Sequence, residues 1–395
     1  MDQKDVHRNV SLYKLFVLCN EPLFWGPVLI ISIQQLGHMA LPDIYFMESA
    51  VVVLCVLLDI PAGSLADLIG KRTMLILGRI LLLASCCGFA CMSSPLTAWI
   101  ANILWAIGYS FQSGADVSLL YGSLKTNGTQ ALFKKVEGRA TGSRFILMAF
   151  CALAVSALVM IHPRLPLLCS IIPMAIPLVV AFKFKEPAQT KKYNTTEQVH
   201  ILKTGVLFAL KNIHIRWIIG YCAFIAGTSK IWFFTYNPYF ERVGINIAYY
   251  GFIFFLLNIV AWFSSHYAHA ITQKMSERAC IIWMSALIAI PILLMGLLPF
   301  WPLAYLVLLQ NIVRGFMKPF LGDFINKHID SEEIRATVLS VQSSTTNAIS
   351  IFALAWFGFM TSHFDLLSSL SILGILALSI GALSMRRYQK LFLSS

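Results

Sequence analysis

Apolar runs of about 20 residues recur along almost the whole chain, each long enough to cross ~30 Å of hydrocarbon as a helix. In lipid every backbone amide and carbonyl must find its partner within the chain, and a continuous helix satisfies that demand run by run. Hydrophobic residues make up 58% of the chain and charged residues only 12%. A soluble protein carries about 25% charged residues, so this chain is not built to face water on all sides. The mean hydropathy of +0.75 agrees. The fold class that follows is all-α, a polytopic membrane protein. We place its helices near 11–35, 43–67, 72–92, 97–122, 138–162, 165–184, 213–238, 246–270, 277–298, 301–325, 336–361 and 365–386.

A net charge of +12 would suit a nucleic-acid binder, but its distribution excludes that reading. Lys4, Arg8, Lys71, Arg72, Lys125, Lys134, Lys135 and Arg139 fall on one side of the helices just placed. The same side takes Lys183 to Lys211, then Lys274, Arg278, Lys327, Arg335, Arg386, Arg387 and Lys390, whereas the other has little besides Arg164 and Arg242. Basic loops stay in the cytoplasm, which predicts twelve spans with both termini cytoplasmic, in the inner membrane. No removable signal peptide is evident: the first ten residues are polar, and no small-residue cleavage site follows a short apolar core. The nine cysteines lie in or beside apolar runs without metal-type spacing, as packing residues do.

Between helices six and seven runs the longest polar stretch, Lys185 to Gln198, which separates two halves of similar size. The domain reading is 1–184, a six-helix bundle; 185–212, a cytoplasmic linker; and 213–395, a second six-helix bundle. The halves echo each other. Glu137-Gly-Arg-Ala-Thr141 opens helix five and Glu333-Ile-Arg-Ala-Thr337 opens helix eleven. Gly63…Asp67…Gly70-Lys-Arg72 has a worn counterpart in Ser265…His269…Thr272-Gln-Lys274, at a nearly equal offset. Two echoes at matching spacing indicate parallel repeats.

The stretch Asp59 to Arg72 is a helix end, a tight turn and the start of the next helix. Gly63 is expected to leave room for close backbone approach, and Gly70 to adopt a turn conformation strained for other residues. Asp67 closes one helix while Lys71 and Arg72 open the next, which reads as a charged latch at the membrane surface. At these residues the sequence resembles the major facilitator superfamily, whose signature loop is Gly-x-x-x-Asp-x-x-Gly-basic-basic; Leu68 stands where a basic residue is usual. Asp59-Ile-Pro-Ala-Gly63, Ser113-Gly-Ala115 and Arg335-Ala-Thr-Val-Leu-Ser340 are similar to a prokaryotic, drug-efflux-like branch. The resemblance implies two six-helix bundles around a central cavity that opens alternately to either side, with the Asp67 region bridging toward the opposite half. The helix-four arginine of many proton-coupled drug exporters would fall near Asn102 and is absent.

Ionisable residues within membrane helices are costly, by about 2.5–3.5 kcal/mol each, so each is a functional candidate. Helices one, four, seven and ten would line the cavity of such a fold. Helix one carries Asn20 and Glu21, with Pro22 following; Glu21 lies near mid-membrane and is the candidate proton or substrate-cation site. Helix four offers Gln112, helix seven Lys230 and helix ten Gln310 and Arg314. Arginine keeps its charge and forks onto carboxylate or phosphate, so Arg314 is the anion-binding candidate. Asp116, Asp59, Arg139, Arg144 and Arg335 read as a gating network on the cytoplasmic side.

No Gly-x-x-x-x-Gly-Lys-Ser/Thr loop is present, so ATP is not the driver within this chain. The expected activity is a monomeric secondary transporter, symporter or antiporter, with a small-molecule substrate, the proton as coupling ion and the lipid bilayer as its surroundings. No enzyme site, metal site or cofactor is expected. A transporter-like sensor without net flux is the rival class. On direction, uptake of an anionic or zwitterionic solute competes with efflux of an amphipathic compound.

Overall fold

The computed structural model describes residues 3–186, 203–204, 206–327 and 332–393, without the side chains of 60, 64, 67, 131, 134, 269, 318–319, 321–323, 325–327 and 332–336. Most of the expected 185–212 linker lies outside these described residues, as do the side chains of Asp67, His269 and Arg335. Two compact units emerge, Met1–Thr190 with Asn246–Ile259, and Lys191–Ile245 with Val260–Ser395. Described residues form helices and no strand.

The first unit holds α1 (Gln3–Leu18), α2 (Leu29–Leu36), α3 (Leu41–Ile69), α4 (Lys71–Cys91), α5 (Pro95–Gln112), α6 (Ala115–Thr126), α7 (Phe133–Ile161) and α8 (Leu165–Lys183). The second holds α9 (Ile213–Arg242), most of α10 (Tyr250–Lys274), α11 (Glu277–Leu297), α12 (Val307–Lys327), α13 (Glu332–His363) and α14 (Leu366–Tyr388). The opening turns of α10 belong to the first unit, where the Gly251 amide donates to Ser156 Oγ at 3.1 Å on α7. Among the described residues nine helices are long and apolar enough to cross a membrane.

Two of the expected spans are discontinuous. The run 11–35 is interrupted between α1 and α2, and 97–122 between α5 and α6. Pro22 and Pro27 explain the first break, since proline lacks an amide donor and pushes the preceding residue out of the helical region. The second falls at Ser113-Gly114, where Gly114 takes a left-handed φ of 76° that glycine alone reaches without strain. Each break frees backbone groups that an unbroken helix would have satisfied.

Small residues set the helix contacts. On α4 and α5, Gly78 and Gly108 face each other so closely that a Cβ on Gly108 would stand 2.8 Å from the Gly78 carbonyl oxygen. Ser85 Oγ adds a hydrogen bond to the Ala101 carbonyl at 2.6 Å. Such backbone proximity is how helices associate where lipid is as apolar as leucine. Gly374 on α14 plays the same part against Leu293 of α11 in the second unit.

Candidate functional site

In the first unit the two helix breaks meet. Asn20, just past α1, accepts at its side-chain oxygen from Gln112 Nε2 at 2.7 Å, at the last residue of α5. The Asn20 backbone carbonyl accepts from Arg79 Nη1 at 3.2 Å. Arg79 comes from the middle of α4, is 0% exposed, and lies with its guanidinium carbon 4.7 Å from the centre of the Phe16 ring. It stands within electrostatic reach of Glu21 and Asp116. Glu21 itself faces Arg144 of α7, Oε1 to Nη1, at 3.5 Å. The Glu21 side chain is 37% exposed and that of Arg144 20%, so the contact is partly open to water.

The residues expected to form a gating network lie as follows, apart from Arg335, whose side chain is not described. Arg144 pairs with Glu21, and Asp116, in the first turn of α6, belongs with Arg79. Arg139 and Asp59 are exposed on α7 and α3. At Gly63 the expected close backbone approach is absent among the described residues: nothing lies within 4 Å of where a Cβ would stand, because α3 runs on through this position to Ile69. Gly70 does adopt the turn conformation, with φ 94°, and Lys71 and Arg72 open α4. What caps that helix is Glu186, beyond α8, whose two carboxylate oxygens accept from the Lys71 and Arg72 amides at 2.8 and 2.7 Å. Arg72 Nη2 returns the contact to the Phe182 carbonyl at 2.5 Å.

Sequence reasoning missed Arg79 and Glu186. A signal for Arg79 was present, since it is the one charge in the apolar run Met74 to Cys91, on a helix not expected to line a cavity. Glu186 has no comparable signal, because its role depends on the chain turning back after α8. A second buried polar contact joins Asn102 Nδ2 to Glu48 Oε1 at 2.9 Å, at the position where exporters carry arginine.

The second unit brings together Lys230, Gln310 and Arg314 at one cavity of about 260 Å³. Ser229, Trp232, Phe233 and Tyr236 of α9, Ile288 of α11 and Met317 of α12 complete most of its wall. Asn311 donates to Tyr236 Oη and to the Val307 carbonyl, both at 2.9 Å, and accepts from Arg314 Nη1 at 3.3 Å. This chain of contacts fixes Arg314 on the cavity wall, with its guanidinium carbon 5.9 Å from the Phe233 ring centre. Lys230 Nζ lies 5.4 Å from the centre of the Phe234 ring.

Residues 16–355 match the family profile of the Major Facilitator Superfamily. The chain belongs to this superfamily. It is therefore a multi-pass secondary transporter of small molecules and not an enzyme. No curated protein matches the chain by sequence. Solved structures similar to this transporter include a mutant of the nucleoside transporter NupG, at a TM-score of 0.79 and 14% identity, covering 97% of this chain and 100% of that one. A bacterial homolog of the human lysosomal transporter Spinster, inward-facing and unoccupied, aligns at a TM-score of 0.76 and 15% identity over 99% of this chain and 97% of that one. A D-xylose–proton symporter aligns at 0.75 and 13% identity over 96% and 97% of the respective chains. Identities this low speak for the fold alone.

Proposed function

We propose that this superfamily member is a proton-coupled transporter of the cytoplasmic membrane, taking up an anionic or zwitterionic solute by alternating access. The observation that carries the reading is Glu21, set in the break between α1 and α2 and 3.5 Å from Arg144. A carboxylate at a helix break is held by a nearby cation only while it is ionised. Protonating Glu21 cancels its attraction to Arg144 and to Arg79, and the segment between α1 and α2 is then free to rearrange. In this reading proton occupancy selects between conformations, which is what coupling requires. The solute binds at the cavity of Lys230, Gln310 and Arg314, whose lining carries two cations and, among the described residues, no carboxylate. Efflux of an amphipathic compound is the second reading, and the aromatic wall of Trp232, Phe233 and Tyr236 favours it.

The test is flux in proteoliposomes loaded at alkaline pH and diluted into acidic medium. The uptake reading expects an accumulated solute whose gradient collapses on adding a protonophore. Accumulation indifferent to the protonophore would remove proton coupling, and loss of preloaded solute driven by an inward proton gradient would reverse the direction.

A further inference from the structure

A second cavity, of about 340 Å³, lies where α9, α13 and α14 of the second unit meet. Small residues make the room: Gly220 has nothing within 4 Å of where a Cβ would stand, and Ala353 and Ala377 line the cavity from the other two helices. Among the described residues, its polar side-chain groups are the Trp356 indole and the Thr228 hydroxyl, which already donates to the Phe224 carbonyl at 2.9 Å. A solute site needs a few placed polar groups to orient its cargo, whereas this cavity offers hydrocarbon. Ile349, Leu376 and Ile380 line it and are also exposed, so it opens at the surface. Along α9 it runs from Gly220 to Ile231, which at ~1.5 Å per residue is about 16 Å, the depth of one leaflet of a ~30 Å hydrocarbon core.

Two cations stand in register with this cavity. By helical spacing Arg216 falls on the stripe of α9 that carries Gly220 and Gly227, and Arg387 on the stripe of α14 that carries Leu376 and Ile380. Trp217 Nε1 donates to the Ser384 carbonyl at 3.1 Å, which ties the two helix ends together beside these arginines. Both arginines are exposed, and neither has a hydrogen-bond or ion-pair partner among the described residues. We propose that the cleft seats a resident anionic phospholipid of the leaflet that Arg216 and Arg387 face. One acyl chain fills the apolar cavity, and the phosphodiester takes the two guanidinium groups, whose planar forks match phosphate oxygens. A zwitterionic lipid keeps the chain contact, but its own ammonium competes for the phosphate. A free phosphate keeps the charge contact and leaves the cavity unfilled. The site is separate from the cavity of Lys230 and Arg314, so it stands whatever that cavity carries.

The experiment is native mass spectrometry of the purified full-length protein in detergent micelles, titrated with dioleoyl phosphatidylglycerol or dioleoyl phosphatidylcholine. A basic residue beside an anionic lipid changes affinity about fivefold, so one phosphatidylglycerol is expected to bind ~30-fold tighter than phosphatidylcholine. Arg216→Gln and Arg387→Gln should each weaken it about fivefold. Gly220→Phe puts a ring into open space and should displace the lipid without removing either charge. Arg386→Gln removes the same charge one residue off the cavity stripe and should bind as the parent does. Equal retention of the two lipids would overturn the proposal. So would an Arg386→Gln effect as large as that of Arg387→Gln, which a general attraction to basic helix ends would give, or full retention by Gly220→Phe. Should Gly220→Phe not fold, the contrast between Arg387→Gln and Arg386→Gln decides. Glycerol phosphate competing as well as the intact lipid would overturn the acyl-chain seat and leave a soluble phosphate as the ligand.

Discussion

A guanidinium within a membrane-spanning helix stays there only if its surroundings compensate it. Arg79 is compensated in three ways: the orphaned Asn20 carbonyl accepts one hydrogen bond, the Phe16 ring takes the face of the guanidinium, and Glu21 and Asp116 supply opposite charge. Its Nε and Nη2 atoms nonetheless have no hydrogen-bond partner, so the site is well held electrostatically but not saturated. Arg79→Leu would leave the broken backbone and two carboxylates without their shared cation. We expect a destabilisation of ~3 kcal/mol or more, read as a lower unfolding midpoint in mixed micelles. An unchanged midpoint would show that the arginine is dispensable to the break. Glu21 and Arg144 are a different case. Their contact is partly exposed at 3.5 Å, so its removal should move conformational equilibrium and flux far more than stability.

Elements carry the next layer. The α3–α4 turn was legible in the sequence down to Gly70, because a glycine between two long apolar runs followed by two cations permits few geometries. What the turn is fastened to was not legible. Glu186 seats its carboxylate on the first two amides of α4, and Gly70 supplies the positive φ of 94° that turns the chain there. A carboxylate at a helix N-terminus satisfies orphan donors and meets the positive end of the dipole. Glu186→Ala should therefore lower stability by ~1 kcal/mol, and Glu186→Gln by less, in the same unfolding assay. Equal stability of Glu186→Ala and the parent would mean that water serves the α4 amides as well. The breaks in α1–α2 and α5–α6 were half legible. Pro22 announced the first, whereas Ser113-Gly-Ala115 was read only as a family resemblance, and the left-handed backbone of Gly114 marks the second break. At Gly63 no described residue comes within 4 Å of where a Cβ would stand, so the neighbour expected there is not among the described residues.

At the scale of the molecule, apolar run length and charge sidedness are enough to give a polytopic helical protein, and the signature turn is enough to give its superfamily, which the match over residues 16–355 establishes. Cargo is not written in such features. Nor is the convergence of α9, α11 and α12: only the tertiary arrangement places Lys230, Gln310 and Arg314 at one cavity, beside Trp232, Phe233 and Tyr236. We propose that transport couples that cavity to Glu21 in the other unit. It is tested by comparing Glu21→Gln with the parent protein in proteoliposomes, measuring pH-gradient-driven accumulation and solute counterflow side by side. Glutamine keeps the shape of the glutamate but holds no exchangeable charge, so gradient-driven accumulation is expected to be lost while counterflow persists. Full accumulation in Glu21→Gln, with the pH dependence of the parent, would contradict it.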